Sequence, residues 1–148
     1  MNSKEFKIAF DNIANEYSFE KAFHGWFKES RDCIAVLDLQ KSNFGVYYEL
    51  NIKIFIQGMF GNSYSKNKDL VKKEIGDIFL RQPNDFRDVL DLEVPMEDKL
   101  RKEKLGQLFN EFIMPLVEKA LTIHGIKELA NKGQIFLLPA VKQRLNFD

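Results

Sequence analysis

Residues 45–57, with the sequence GVYYELNIKIFIQ, carry the clearest periodicity in the chain. Alternate positions form an almost wholly apolar set, and the positions between them are mostly polar. The first set is Val46, Tyr48, Leu50, Ile52, Ile54 and Ile56, and the second is Tyr47, Glu49, Asn51, Lys53, Phe55 and Gln57. Because successive side chains of a strand point to opposite faces, this pattern predicts a half-buried β-strand with one face on a core.

A second strand is predicted just upstream, at residues 32–39, which are apolar on both faces. The connection at residues 40–45 contains Ser, Asn and Gly, which is typical of a longer hairpin loop. Residues 31–57 are therefore predicted to form a β-hairpin whose first strand is central in a sheet.

Upstream of the hairpin, the spacing of Phe6, Phe10, Ile13 and Tyr17 predicts an amphipathic helix, with Ser3 as its N-cap. Residues 19–28 are interpreted as a short strand or bend, with a sharp turn permitted by Gly25.

Downstream of the hairpin, residues 66–73 are lysine-rich and are expected to be solvated, with room for one helical turn. A short strand is predicted at residues 78–80, whereas residues 86–94 fit a strand or a helical turn equally well.

The C-terminal part is predicted to be helical from Met96, with an interruption near residues 111–115 caused by Pro115. A second helix is predicted at residues 123–132, and Pro139 is expected to open a last one.

Together these elements predict an α+β fold. Its antiparallel sheet has about four strands, and the N-terminal helix and the C-terminal helices pack mainly on one face. No repeat, low-complexity tract or linker divides the chain, so residues 1–148 are expected to form a single domain. The strand order stays open.

Composition argues against several function classes. The 22 basic and 22 acidic side chains give no net charge, whereas a nucleic-acid binder normally has a basic excess, so nucleic acid is not the expected partner. No stretch approaches the ~20 apolar residues of a membrane span. The first residues lack the apolar run of a signal peptide, and the single cysteine forms no internal disulfide, so we expect a cytoplasmic protein.

The residues that most often carry chemistry show no paired spacing. His24 and His124 lie a hundred positions apart, and Cys33 falls on the apolar side of a predicted central strand. We therefore predict no metal site and no cofactor, and we interpret Cys33 as a structural thiol.

Two weaker patterns keep alternatives open. Asp38 and Glu49 on neighbouring strands, with an arginine such as Arg81, would suit a small hydrolase-like enzyme at the sheet edge, although such groups are more often surface ion pairs. Tyr47, Phe55 and Lys53 on one strand face resemble, faintly, a surface for single-stranded RNA, although cover by another helix explains Phe55 at least as well.

Four short motifs resemble the bacterial domain of unknown function 4304 family. They are Trp26-Phe27-Lys28, the run from Val36 to Ser42, the run from Tyr47 to Ile52, and Arg81-Gln82-Pro83. The resemblance spans roughly residues 5–145 and implies no established activity. It favours a small immunity-type or adaptor protein that binds one partner.

The leading hypothesis is a non-enzymatic binding or immunity-type module, with another protein as its expected partner and no catalytic residue. The partner is expected to meet the open sheet face or the 40–45 loop, because that face mixes polar and aromatic side chains. The candidate residues are Gln40, Lys41, Tyr47, Glu49, Asn51 and Lys53.

Overall fold

A computed structural model describes residues 1–146 and contains a five-stranded antiparallel sheet. Its strands are β1 (Glu20–Ala22), β2 (Gly25–Glu29), β3 (Cys33–Lys41), β4 (Tyr48–Ile56) and β5 (Ile78–Arg81). Each strand pairs with the next one along the chain, so the sheet is a meander. The predicted α+β class and antiparallel sheet are confirmed. The sheet has five strands rather than four because residues 19–28 supply two of them.

The predicted hairpin is confirmed as the centre of the sheet. Nine residue pairs join β3 to β4, from Cys33 opposite Ile56 to Lys41 opposite Tyr48. The strand was predicted to include Val46, but Val46 lies outside β4 and is exposed. Tyr47 also precedes β4, and its backbone pairs with Asp91 in an isolated bridge.

Within residues 1–146, six α-helices accompany the sheet. They are α1 (Ser3–Glu16), α2 (Lys68–Lys72), α3 (Asp98–Gln107), α4 (Met114–Ala120), α5 (Ile123–Asn131) and α6 (Pro139–Arg144). Short 3-10 turns occur at Met59–Gly61 and Asn84–Phe86.

The cap of α1 lies one residue earlier than predicted. The Asn2 side chain, not that of Ser3, accepts a 2.8 Å hydrogen bond from the Glu5 backbone N–H, and the Glu5 carboxylate accepts one from the Asn2 N–H. This reciprocal capping box satisfies two backbone donors at once.

The C-terminal helix is interrupted ahead of Pro115 as predicted, but the backbone stays helical and forms a wider turn instead of ending the helix. A π-helical turn, Leu108–Ile113, links α3 to α4, and Pro115 follows near the start of α4. Proline has no N–H and its ring crowds the carbonyl four residues earlier, so the wider turn accommodates it.

The main core lies between one face of the sheet and the helices α1 and α3–α6, which confirms the prediction that these helices pack mainly on one face. Aromatic rings dominate the contact. The Phe10 ring lies 4.6 Å from Trp26 and 5.1 Å from Phe109, centroid to centroid. These packed rings hold α1 between the sheet and the π-helical turn.

The opposite face of the sheet carries a second, smaller core beneath α2. Its buried members are Phe27, Ile34, Val36, Phe55, Leu70 and Val71. Residues 66–73 were predicted to be solvated. That prediction was wrong for Leu70 and Val71, because the apolar patch on this face of the sheet draws both side chains out of water.

Residues 86–94 form no strand and come closer to the predicted helical turn. Phe86 ends a 3-10 turn, and the backbone N–H groups of Val89, Leu90 and Asp91 each donate to the carbonyl three residues earlier. One arginine of α3 holds this segment. Arg101 is buried, and its guanidinium donates to the backbone carbonyls of Asp88, Val89, Asp91 and Val94 at 2.8–3.1 Å. The helix begins at Asp98, two residues after the predicted Met96.

The turn between β1 and β2 is made by Phe23 and His24, whose φ angles are 53° and 64°. This φ pattern is that of a type I′ turn, which normally carries Asn-Gly because other residues are strained there. The prediction that Gly25 makes the turn was wrong. Gly25 lies in β2 beneath α2, where an added Cβ would lie 2.8 Å from the Val71 side chain.

We expect His24→Gly to raise the unfolding free energy by about 0.5–1 kcal/mol, because glycine adopts positive φ without strain. Urea denaturation of the two proteins measures the difference. Ser63→Gly is the control, since Ser63 is an exposed loop residue without a positive φ. A loss of stability in His24→Gly would contradict the strain argument.

Gly125 and Gly106 are both helical, and they provide a matched pair. A Cβ on Gly125 would lie 1.9 Å from the Lys119 carbonyl oxygen, whereas one on Gly106 would meet no atom within 4 Å. We expect Gly125→Ala to destabilise the protein by about 2–3 kcal/mol and Gly106→Ala to stabilise it by up to ~1 kcal/mol. Thermal denaturation of both variants checks this. Similar melting temperatures would refute close packing of α4 on α5.

Candidate functional site

A groove of about 520 Å³ lies on the second sheet face, beside α2. Strands β3 and β4 supply Asp38, Asn51 and Lys53 to its interior. The remaining lining residues are Lys7, Leu39, Gln40, Lys41, Lys72, Lys73, Glu74, Ile75, Phe79 and Arg81. We refer to this feature as the basic groove. Its volume falls within the ~300–1,000 Å³ typical of ligand sites.

Asn51 connects the polar groups inside the basic groove. Its side-chain nitrogen donates to the Asp38 carboxylate at 3.2 Å and to the Gln40 amide oxygen at 3.0 Å. Its side-chain oxygen accepts from Arg81 Nε at 3.1 Å. Because Asn51 is buried and both of its amide hydrogens are used, its orientation is fixed. The register explains these contacts, since Asn51 pairs with Asp38 on β3 and with Arg81 on β5.

Asp38 is the buried carboxylate of the groove, with 6% of its surface exposed. Besides the bond from Asn51, it has Lys72 Nζ at 3.4 Å. A buried carboxylate without such partners would be costly. Both carboxylate oxygens of Asp38 therefore already have partners within the protein, namely Asn51 and Lys72.

Lys53 fastens α2 to the sheet. Its ammonium donates to the Val71 carbonyl at 2.7 Å and to the Leu70 carbonyl at 3.4 Å. These carbonyls belong to the C-terminal half of α2, where a positive charge is favourable. Burial lowers the pKa of Lys53, and the nearby negative charge of Asp38 partly opposes that shift.

The structure brings together four of the six predicted site residues. Gln40, Lys41, Asn51 and Lys53 all line the basic groove. Asn51 and Lys53 were expected on an open face, but both are buried. Lys53 is covered by α2, and Asn51 lies among the side chains of Asp38, Gln40 and Arg81.

Tyr47 and Glu49 lie elsewhere. They line a separate depression of about 270 Å³ with Tyr48, Arg87 and Asp91. The Glu49 carboxylate accepts a 2.6 Å hydrogen bond from the Gln82 side chain. The Asp38 and Glu49 carboxylates therefore line different depressions rather than one shared cleft.

Sequence reasoning missed several members of the groove. Lys72 and Lys73 were treated as part of a solvated run, and Phe79 was only part of a short strand. Phe79 and Arg81 alternate along β5, so they share a face, but the pairing that puts them beside Lys53 and Asn51 is long-range. The alternation of Phe79 and Arg81 along the predicted short strand was the sequence signal that could have placed these two residues on one face.

The single cysteine and the two histidines lie outside the basic groove. Cys33 is fully buried, and burial with the nearby negative charges of Asp32 and Asp77 raises the pKa of its thiol to about 12. His24 and His124 are both exposed. Among residues 1–146, no group of three or more His, Cys, Asp and Glu side chains could hold a metal ion. In the same part of the chain, no helix has the length and apolarity needed to cross a membrane.

Lys53 provides a test of the groove's electrostatics through pH. Because its folded-state pKa lies below 10.5, the unfolded chain binds more protons between the two values. Lys53 therefore makes the unfolding free energy rise as pH increases through that alkaline window. We expect Lys53→Met to remove this contribution, which urea denaturation at several pH values would measure. Lys4→Met on the exposed face of α1 is the control. Parallel pH profiles for the wild type and Lys53→Met would contradict the assignment.

A family model described as "Domain of unknown function (DUF4304)" matches residues 10–119. No curated protein and no solved structure matches the chain. The matched region contains all five strands and, apart from Lys7, every residue that lines the basic groove. The resemblance seen in the four sequence motifs is thereby confirmed, and the chain belongs to the DUF4304 family.

Proposed function

We propose that this protein is a non-enzymatic binding module and that the basic groove is where it binds a partner protein. The observation that carries the proposal is the fixed orientation of Arg81. Asn51 holds its Nε, and Asn51 is itself held by Asp38 and Gln40. A polar site whose side chains are ordered before binding loses less conformational entropy when a partner arrives.

The base of the groove favours binding over catalysis. Asp38 and Asn51 extend from the two central strands, which are rigidly paired, and their polar atoms are occupied by neighbours. General acid–base catalysis needs a carboxylate within reach of substrate, and the predicted pair of Asp38 and Glu49 does not share a cleft.

The geometry also favours a protein partner over single-stranded RNA. Recognition of RNA would require Tyr47 to stack bases beside the basic residues. Tyr47 lines the other depression, and the aromatic residue of the groove, Phe79, already has the Arg81 guanidinium 5.7 Å from its ring centroid.

The 40–45 loop extends the proposed binding surface. Lys41 lines the groove, and Phe44 in the following loop is 91% exposed. An exposed aromatic side chain next to basic residues is common where proteins bind each other. An adaptor or immunity-type role in the cytoplasm is included in this proposal, and the single, buried cysteine suits a reducing compartment.

A charge-reversal capture experiment tests the proposal. The full chain is immobilised as wild type and as Lys41→Glu with Arg81→Glu, and each is exposed to lysate of the source organism. The wild type is expected to retain a protein that the double variant loses, because the variant reverses two charges on the groove. Lys53 is left unchanged, because reversing the charge of a buried side chain would unfold the protein.

The matched control is Arg31→Glu with Lys102→Glu, which makes the same change in net charge at exposed positions outside the groove. Retention of the partner by this control, together with its loss from the groove variant, supports the proposal. Equal retention by all three proteins, or capture of nothing by the wild type, contradicts it.

A further inference from the structure

The basic groove concentrates positive charge in a chain whose formal net charge is zero. Six basic side chains and two acidic ones line it, which gives a formal charge of +4, whereas the whole chain has 22 of each. The basic residues are Lys7, Lys41, Lys53, Lys72, Lys73 and Arg81, and the acidic ones are Asp38 and Glu74. Such a local excess attracts and orients an anionic partner.

The charges are not equally available. Lys53 is bonded to carbonyls of α2, and Lys72 pairs with Asp38. By contrast, the side-chain ammonium of Lys41 makes no hydrogen bond or ion pair with any residue between 1 and 146. The exposed end of Lys73 makes only a long 3.9 Å contact with Asp69. Lys41 and Lys73 therefore remain available to a ligand.

Arg81 is the best placed of the cations. Its Nε is committed to Asn51, and its guanidinium lies near the Phe79 ring. Within residues 1–146 its two terminal nitrogens donate to no acceptor. A planar guanidinium held in this way offers parallel N–H groups that match a carboxylate, and little side-chain entropy remains to be lost.

Apolar side chains lie in the same groove. Ile75 is 66% exposed and Phe79 is 41% exposed, although both residue types usually avoid water. A ligand that fits this surface has carboxylates and an apolar group close together. Acidic residues interspersed with large apolar residues in a peptide chain meet that description.

We propose that the groove binds an acidic peptide segment of the partner protein. One Asp or Glu carboxylate of the segment pairs with Arg81, and a neighbouring apolar side chain covers Ile75 and Phe79. The inference rests on the proposed function and specifies the chemistry of the partner.

A peptide carboxylate is favoured over a bare phosphate because the groove combines its positive charge with exposed apolar side chains. Glu74 lines it as an exposed acidic side chain, and Asp38 lies beneath it. These two acidic groups lower the formal charge of the groove to +4 and leave it attractive to any anion, so charge does not separate the two ligands. The apolar pair of Ile75 and Phe79 gives a bare phosphate nothing to contact.

The test uses two capped pentapeptides, Glu-Phe-Glu-Leu-Glu and the same peptide with Gln in place of each Glu. Each is titrated into the full chain while the Arg81 Nε–H and Asn51 side-chain amide resonances are followed by NMR. We expect the acidic peptide to shift these resonances and to bind at least about tenfold more tightly than the Gln peptide. Arg81→Gln is expected to weaken the binding of the acidic peptide by about tenfold. Arg31→Gln, at an exposed position outside the groove, is expected to leave that binding unchanged.

Equal binding of the two peptides, or no binding of either, overturns the acidic-segment inference. Inorganic phosphate or oligo-uridylate that shifts the same resonances at lower concentration than the acidic peptide also overturns it, in favour of a phosphate or RNA ligand. The capture experiment separates this failure from that of the proposed function. If the charge-reversed variant loses the captured protein but the acidic peptide does not bind, the proposed binding function stands and only the acidic-segment inference is rejected.

Discussion

The nine-pair register between β3 and β4 is the constraint on which the rest of the structure depends. Both strands are covered on both faces over most of their length, so each apolar residue of β4 belongs to one of two cores and its polar residues face the second side of the sheet. A slip of one residue would exchange Ile52 with Lys53 and bury an ammonium group among the helices of the main core. The alternation of side chains in β4 therefore fixes the pairing as well as the faces.

This register also creates the basic groove, because the second face of the sheet is larger than the area that α2 covers. Helix α2 has five residues, roughly 7.5 Å of length, and it shields the sheet near Phe55 and Val36. Beyond its end the face carries Asp38, Asn51 and Arg81, whose polar groups satisfy one another across three strands. A polar network on paired strands is more rigid than one on loops, which suits recognition.

How much the sequence predicts depends on the range of the interaction concerned. The hairpin, the capped first helix and the interruption at Pro115 depend on periodicity and on local backbone chemistry, and all three were predicted, the helix cap to within one residue. The turn at Phe23 and His24 was missed because neither residue favours a positive φ. Four of the six candidate residues line the basic groove, and three of them, Gln40, Asn51 and Lys53, lie on the same face of the paired strands β3 and β4. Arg81 and Lys72 reach the site only through long-range pairing and packing, which a single sequence does not encode locally.

The position of α2 shows how distant parts of the chain determine the groove. The helix approaches the sheet closely because Gly25 presents no side chain to Val71, and the Lys53 ammonium then bonds to its carbonyls. That approach places Lys72 beside Asp38, which neutralises the buried carboxylate. With Asp38 neutralised and Asn51 fixed, the Arg81 guanidinium has no acidic partner among residues 1–146. The free positive charge at the mouth of the groove is thus a consequence of how tightly a five-residue helix packs on the sheet.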